Sequence, residues 1–244
     1  MGVDEAAGAD GAATRGGSLA GAAIAFDLDG TLVDTAQDLI GALNWLLAEK
    51  GLAPLPLAEA RPFIGRGARW MIERGFQAAK APLAPAEVQP LFERFIDRYQ
   101  GHIADESRPF PGCVEALETL KAEGAKLCVC TNKLTSLSIA LLNALDLTRL
   151  FDAVIGSDAS PAIKPDRRHL ETAIAAVGGD IACAIMVGDA ATDAGAARAA
   201  KVPLILVSFG YTETPARELG PDILIDHFDD LPDACRRLLG ACEP

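Results

Sequence analysis

The segment Asp27-Leu28-Asp29-Gly30-Thr31, directly after the apolar run Ala22-Ala23-Ile24-Ala25-Phe26, constrains this chain more than any other. The apolar run reads as a strand. Strand side chains alternate, so carboxylates two positions apart point to the same side where the strand continues. Gly30 supplies the backbone freedom for the turn that must come next. The carboxyl edge of an open α/β sheet is where such folds bind ligands. Two like charges this close are unfavourable unless a cation joins them or one holds a proton. A lone D-x-D also occurs as a solvated strand end, so its meaning depends on the rest of the chain.

The rest of the chain alternates. From Ile24 onward, strand-like apolar runs take turns with helical patterns, which predicts a parallel sheet covered by helices. Strands are expected at 23–27, 126–131, 153–155, 184–187, 204–207 and 223–225, and helices at 112–123, 135–145, 167–177, 191–200 and 230–239. Right-handed crossovers put every strand's carboxyl end on one edge. That geometry gathers Asp27, Thr131, Lys164 and Asp189.

Residues 36–105 interrupt the pattern with helices and no strand. Thr35 and Asp38 have the spacing of an N-terminal capping pair. Leu39, Ile40, Leu43, Leu46 and Leu47 form an apolar stripe that Gly51 and Pro54 end. Further helices are expected at 66–79 and 85–102, and Pro109, Pro111 and Gly112 mark the return to the sheet. A helical insert hinged beside Asp27 reads as a lid; a decoration on the sheet edge is the plainer alternative. The division expected is a Gly/Ala-rich disordered tail at 1–21, a sheet domain at 22–35 and 106–244, and a helical domain at 36–105.

A net charge of -12 argues against nucleic acid or an anionic membrane face as a partner, and leaves a small anionic substrate open. No apolar run reaches the roughly 18 residues of a membrane span. Asp4, Glu5 and Asp10 precede the first basic residue, Arg15, the reverse of a secretory leader. The expectation is a cytoplasmic protein. Cys128, Cys130 and Cys183 lie in or beside apolar strand runs and read as small hydrophobes in a reducing compartment. Cys128-x-Cys130 lacks the second pair of a zinc ribbon. The oligomeric state leaves no trace in the sequence.

Phosphate- and metal-binding residue types recur after the later strands, as Thr131-Asn132, then Lys164, then Gly188-Asp189 with Asp193. Singly, each has a plainer reading: a turn, a solvated lysine, or an acid favoured by a helix dipole. In this order, with Asp27 to Asp34 reading D-x-D-G-T-L-x-D, the chain resembles the haloacid dehalogenase superfamily of phosphohydrolases. It is most similar to the phosphoglycolate phosphatase-like branch, over roughly residues 22 to 240. The resemblance implies an α/β fold with a Rossmann-like parallel sheet core flanked by helices, and an all-α cap of the C1 type inserted after the first strand.

It also implies roles. Asp27 is the nucleophile that forms an aspartyl-phosphate. Asp29 is the general acid and then base, for which its environment should raise its proton affinity above that of Asp27. The metal ligands implied are an Asp27 oxygen, the Asp29 main-chain carbonyl and Asp189. Asp193 either coordinates through water or serves only the helix terminus. Four aspartates and a phosphate around a single lysine call for a cation. Like charges 4 Å apart cost about 4 kcal/mol each at an effective dielectric near 20, and magnesium suits such hard oxygen donors. Gly30, Thr131, Asn132 and Lys164 are expected to hold the phosphate, Thr131 and Asn132 through backbone N–H groups and the Thr131 hydroxyl. Arg66, in Ile64-Gly65-Arg66-Gly67, is placed to fork onto a substrate carboxylate, with Arg69 a weaker candidate. Gly210-Tyr211 is assigned a turn, and His102, His169 and His227 no role.

The activity implied is magnesium-dependent hydrolysis of a small phosphomonoester, 2-phosphoglycolate foremost. A β-phosphoglucomutase-type phosphomutase, or a phosphatase for sugar phosphates, nucleotides or pyrophosphate, remains open. Dehalogenases lack an acid at the Asp29 position, and phosphonatases have alanine there. A phospho-aspartate receiver carries its acceptor after a middle strand without a helical insert, and a dead binding module would not need every charged position kept.

Overall fold

The computed structural model describes residues 19–240. Most of the expected tail, residues 1–18, lies outside the described residues. Its last stretch belongs to the fold: Leu19 is buried in the sheet's core and donates its N–H to the Glu123 carbonyl at 3.2 Å.

Six strands form one parallel sheet: β1 (Ala23–Phe26), β4 (Lys126–Cys130), β5 (Ala153–Ile155), β6 (Ala184–Gly188), β7 (Leu204–Val207) and β8 (Ile223–Ile225). Their spatial order is β5-β4-β1-β6-β7-β8. The chain builds outward from β1 in one direction, returns, and builds outward in the other, which makes the β1/β6 boundary the topological switch point. The strands read as unbroken apolar runs because both faces are covered. Ile24, Phe26, Leu127, Val129, Ile185 and Val187 face α5 (Cys113–Ala122) and α9 (Leu231–Leu239). Ala23, Ala25, Cys128, Cys130, Ala184 and Met186 face α7 (Arg167–Ala176) and α8 (Ala191–Ala200). α6 (Thr135–Ala144), which follows β4, puts Leu141 and Leu142 into the same core as α5 and α9.

β1 and β4 each stop one residue short of expectation. Asp27 and Thr131 keep only the N–H half of the ladder, donating to the Val187 and Ile155 carbonyls at 2.9 and 3.1 Å. The chain turns out of the sheet at these residues, which frees their side chains for the edge.

The helical segment consists of α1 (Ala36–Glu49), a single turn α2 (Leu57–Ala60), α3 (Ala68–Ala78) and α4 (Pro85–Gln100). It has its own core, with Leu43, Leu46, Ile72, Phe76 and Phe95 buried at its centre. The chain leaves the sheet through β2 (Val33–Asp34) and returns through β3 (Arg108–Pro109), an antiparallel pair that no hydrophobic alternation announced. Thr35 and Asp38 are not a capping pair. The Thr35 hydroxyl donates to Asp29 at 2.8 Å, and Asp38 accepts from the Glu106 and Ser107 N–H groups and the Ser107 hydroxyl. Both side chains tie the exit to its surroundings instead of ending a helix.

Cys113, Cys128, Cys130 and Cys235 are buried, and no disulfide joins the described cysteines. Burial pushes the thiols of Cys113, Cys130 and Cys235 up to about 12, in keeping with inert core residues. No helix among the described residues is long and apolar enough to cross a membrane.

Candidate active site

Asp27 and Asp189 follow β1 and β6, the two strands at the switch point, so adjacent strands deliver both carboxylates to one edge. Lys164 reaches the same point from the loop before α7. Its ammonium lies 2.9 Å from Asp27 and 2.7 Å from Asp193, and all three side chains are almost wholly buried. Burial works against the charge on Lys164, but Asp193 and Asp27 outweigh it and hold the ammonium above its usual range. Asp27 Oδ1 also accepts the Leu28 N–H at 2.7 Å.

The acids outnumber their compensation. Carboxylate oxygens of Asp27, Asp189 and Asp193 lie within 4.8 Å of one another. Burial, partly opposed by Lys164 and reinforced by Asp193, pushes Asp27 up to about 6. Burial, then Asp193 and Asp27, push Asp189 up to about 8. A cluster that resists ionising all of its members fits a divalent cation, whose charge removes the conflict.

The three acids are not equivalent as donors. Asp189 accepts from the Thr31 hydroxyl at 3.0 Å and the Tyr211 N–H at 2.7 Å. Asp193 holds Lys164 with one oxygen, and with the other it accepts the N–H groups of Asp189 and Ala190 at 3.2 and 3.0 Å. It occupies the first turn of α8 and satisfies donors that the helix leaves open. Both alternatives for Asp193 therefore have a footing, with its oxygens already engaged in positioning.

Asp29 stands apart from the cluster, and a residue overlooked in the sequence explains why. Lys133 places its ammonium 2.8 and 3.1 Å from the two Asp29 oxygens and 2.9 Å from the Tyr99 hydroxyl on α4. The site thus holds two buried lysines where one was expected. The environment expected to favour a proton on Asp29 contains an ammonium ion, and the carboxyls pushed upward are Asp27 and Asp189. Burial opposes the charge on Lys133, and Asp29 followed by Tyr99 overcomes it. Lys133 immediately follows Thr131-Asn132, so its position was a signal; its partners, 104 and 34 residues away, were not.

Other expectations need revision. The Gly30 N–H bonds the Val33 carbonyl at 2.9 Å and the Thr131 N–H bonds Ile155, so neither backbone group faces a phosphate. Gly30 is required for space: at φ +85° a Cβ there would sit 2.7–2.8 Å from Tyr211 and Asp189. Gly210 is equally confined, its Cβ falling 2.2 Å from Asp189. Tyr211 does more than turn the chain. Its hydroxyl accepts the Thr35 and Ala36 N–H groups at 2.7 and 3.2 Å and bonds Asp34, pinning the start of α1 beside the acids.

Asn132 acts through its side chain, donating to the Gly65 and Lys164 carbonyls at 3.1 Å and accepting the Lys164 N–H at 2.9 Å. His169, assigned no role, is buried behind Lys164. Its Nδ1 accepts the Lys164 N–H at 3.2 Å, which places the proton on Nε2 toward the Ile155 carbonyl. Burial and then Lys164 hold this imidazole down to about 4, a neutral support for the lysine loop.

A cavity of about 490 Å³ lies over these groups, in the usual range for small-molecule sites. Asp27, Asp29, Thr131 and Lys133 border it on the sheet side, and Trp70, Phe92, Phe95 and Tyr99 on the helical side. Arg66 and Arg69 also border it. Both are exposed and have guanidinium groups over aromatic rings, Trp70 at 5.0 Å and Phe92 at 4.2 Å.

Comparisons with known proteins agree with this geometry. Residues 24–207 match the family of haloacid dehalogenase-like hydrolases. The chain is 59% identical to the phosphoglycolate phosphatase of Caulobacter vibrioides, covering 92% of this chain and 94% of that one. It is 48% identical to the phosphoglycolate phosphatase of Agrobacterium fabrum, over 86% and 90% of the two chains. A crystal structure of a predicted phosphoglycolate phosphatase from Haemophilus somnus superposes with a TM-score of 0.82 at 29% identity, covering 89% of this chain and 98% of its own.

Proposed function

Because the chain belongs to the haloacid dehalogenase-like hydrolases, we propose that it is a magnesium-dependent phosphatase that hydrolyses 2-phosphoglycolate by way of a phosphoryl group carried on Asp27. The observation that carries this reading is the convergence of Asp27, Asp189 and Lys164 at the switch point, buried side by side. The named substrate of the two similar phosphatases supplies the choice of ester.

Asp27 attacks phosphorus, and the ester oxygen leaves on the opposite side. Asp29, held by Lys133 and Thr35, gives that oxygen its proton and then takes one from the water that cleaves the acyl phosphate. Lys164 balances the charge of Asp27 and of the incoming phosphate. Thr131, with its N–H committed to the sheet, offers its hydroxyl. Asp193 keeps Lys164 in place. Asp27, Asp189 and the Asp29 main-chain carbonyl would hold magnesium, which when bound screens the phosphate oxygens and the paired acids. Residues 36–105 serve as the lid, joined through β2 and β3, and exclude water from the cavity.

The test is phosphate release from 2-phosphoglycolate and p-nitrophenyl phosphate, with magnesium and with EDTA, for the wild type and Asp27→Asn. Release that survives EDTA, or that Asp27→Asn leaves intact, rules out the scheme. A parallel panel of sugar phosphates, nucleotides and pyrophosphate checks the ester, since 490 Å³ admits larger molecules.

A further inference from the structure

The substrate reading leaves open which group recognises the carboxylate, and the shortness of the molecule restricts the answer. In 2-phosphoglycolate a single methylene separates the ester oxygen from the carboxylate carbon, a span of about 2.4 Å at standard bond lengths. Asp29 must lie within hydrogen-bond reach of that ester oxygen to protonate it. The carboxylate is therefore confined to the immediate neighbourhood of Asp29.

Among the described residues bordering the cavity, Lys133 has the cation in that neighbourhood, 2.8 Å from Asp29. Lys164 already faces two carboxylates, Asp27 and Asp193. Arg66 and Arg69 lie over aromatic rings of the helical layer. Lys133 faces one carboxylate and one hydroxyl, and its side chain is 5% exposed. Charge recognition is stronger in that buried setting than at exposed side chains such as Arg66 and Arg69. The Tyr99 hydroxyl accepts from Lys133 and donates to no described residue, so its proton is available beside the same ammonium. The stacked Phe95 ring, 5.9 Å away, helps fix Tyr99 in place.

We propose that Lys133 and Tyr99 form the seat of the substrate carboxylate, so that the enzyme selects phosphomonoesters bearing an acid group one methylene from the ester oxygen. This assignment rests on the phosphoglycolate reading above. It makes Lys133 a specificity residue as well as the partner of Asp29, and it makes Tyr99, a residue of the helical layer, part of the substrate contact.

The test is the ratio of kcat/KM for 2-phosphoglycolate to that for ethyl phosphate, which lacks the carboxylate. Lys133→Gln lowers turnover of both esters through Asp29, but the ratio falls by about 50-fold or more because only one ester loses a charged contact. Tyr99→Phe keeps the ring and lowers the ratio by about 5-fold, chiefly through a higher KM for 2-phosphoglycolate. It keeps the question open to refutation should Lys133→Gln not fold. Equal losses for both esters in the two variants would reduce Lys133 and Tyr99 to supports of Asp29 and overturn the assignment. So would a ratio that collapses in Arg66→Gln and survives in Lys133→Gln. A wild type with no preference between the esters defeats the phosphoglycolate reading itself, before any variant is made.

Discussion

Replacing Asp189 by asparagine should stabilise the metal-free protein while ending its activity. The Asp189 carboxyl is pushed from 3.8 up to about 8 by burial, Asp193 and Asp27. Each tenfold change in proton affinity is worth about 1.4 kcal/mol, so at neutral pH the ionisable group costs the fold at most about 4 kcal/mol. Asp27 and Asp189 interact and share that burden; half of it, about 2 kcal/mol, is the expected gain. Asparagine fits the hydrogen bonds. Its carbonyl can accept the Tyr211 N–H that Asp189 now accepts at 2.7 Å, and its amide can donate to Thr31, 3.0 Å from the carboxylate.

Linkage fixes the sign. A folded-state proton affinity raised above the unfolded value contributes stability that is present below about pH 4 and is lost as pH rises through about 8. The variant has no such loss, so its advantage grows between about pH 5 and pH 8. For a chain of this size, about 2 kcal/mol corresponds to roughly 4–8 °C in Tm. Calorimetric scans in EDTA across that range measure it directly. Added magnesium should raise the Tm of the wild type and leave the variant unchanged. A variant less stable than wild type near pH 8 in EDTA would falsify the claim that uncompensated charge strains this cluster.

The same geometry sets three further outcomes. Asp29→Asn should lower kcat by about 10²–10⁴-fold while inorganic phosphate inhibits as strongly as in the wild type; normal turnover removes Asp29 from proton transfer. Tyr211→Phe strands the Thr35 N–H and leaves the Ala36 N–H with only its longer bond to Asp34 at 3.4 Å. Two weakened donors in a buried setting are worth about 1–3 kcal/mol, read as a drop in the denaturation midpoint with an unchanged slope. Leu19→Ala, in the segment whose composition suggests a tail, should cost about 2–5 kcal/mol because Leu19 is 3% exposed in the sheet's core; an unchanged midpoint would return Leu19 to the tail.

Much of the fold was legible because its signals are local. Six apolar runs, most of them followed by a helical pattern, are enough to predict a parallel α/β sheet. The strands lie within a residue or so of expectation. β2 and β3 escaped because two-residue strands have no periodicity, and Thr35 and Asp38 misled because their spacing suits a cap while their bonding partners lie elsewhere. The acids at strand ends were legible for the same local reason. Lys133 was not, although it adjoins Thr131-Asn132, because a lysine after a strand has no distinguishing mark until Asp29 and Tyr99 are seen beside it. Tyr211 and His169 were missed likewise: one looked like a turn and the other like a scattered histidine, and each acts through hydrogen bonds to distant segments.

From sequence alone came the candidate reacting groups, the strand ends on which they stand, and the expectation of a cation among so many acids. The strand ends rest on short-range periodicity, which any stretch of chain displays by itself, and the roles on ordered motifs that resemble the haloacid dehalogenase superfamily. Tertiary structure alone decided which cation faces which acid: Lys164 with Asp27 and Asp193, Lys133 with Asp29. Such pairings depend on distances of a few ångströms between segments far apart in the chain, inside a low-dielectric interior where those distances set the energy.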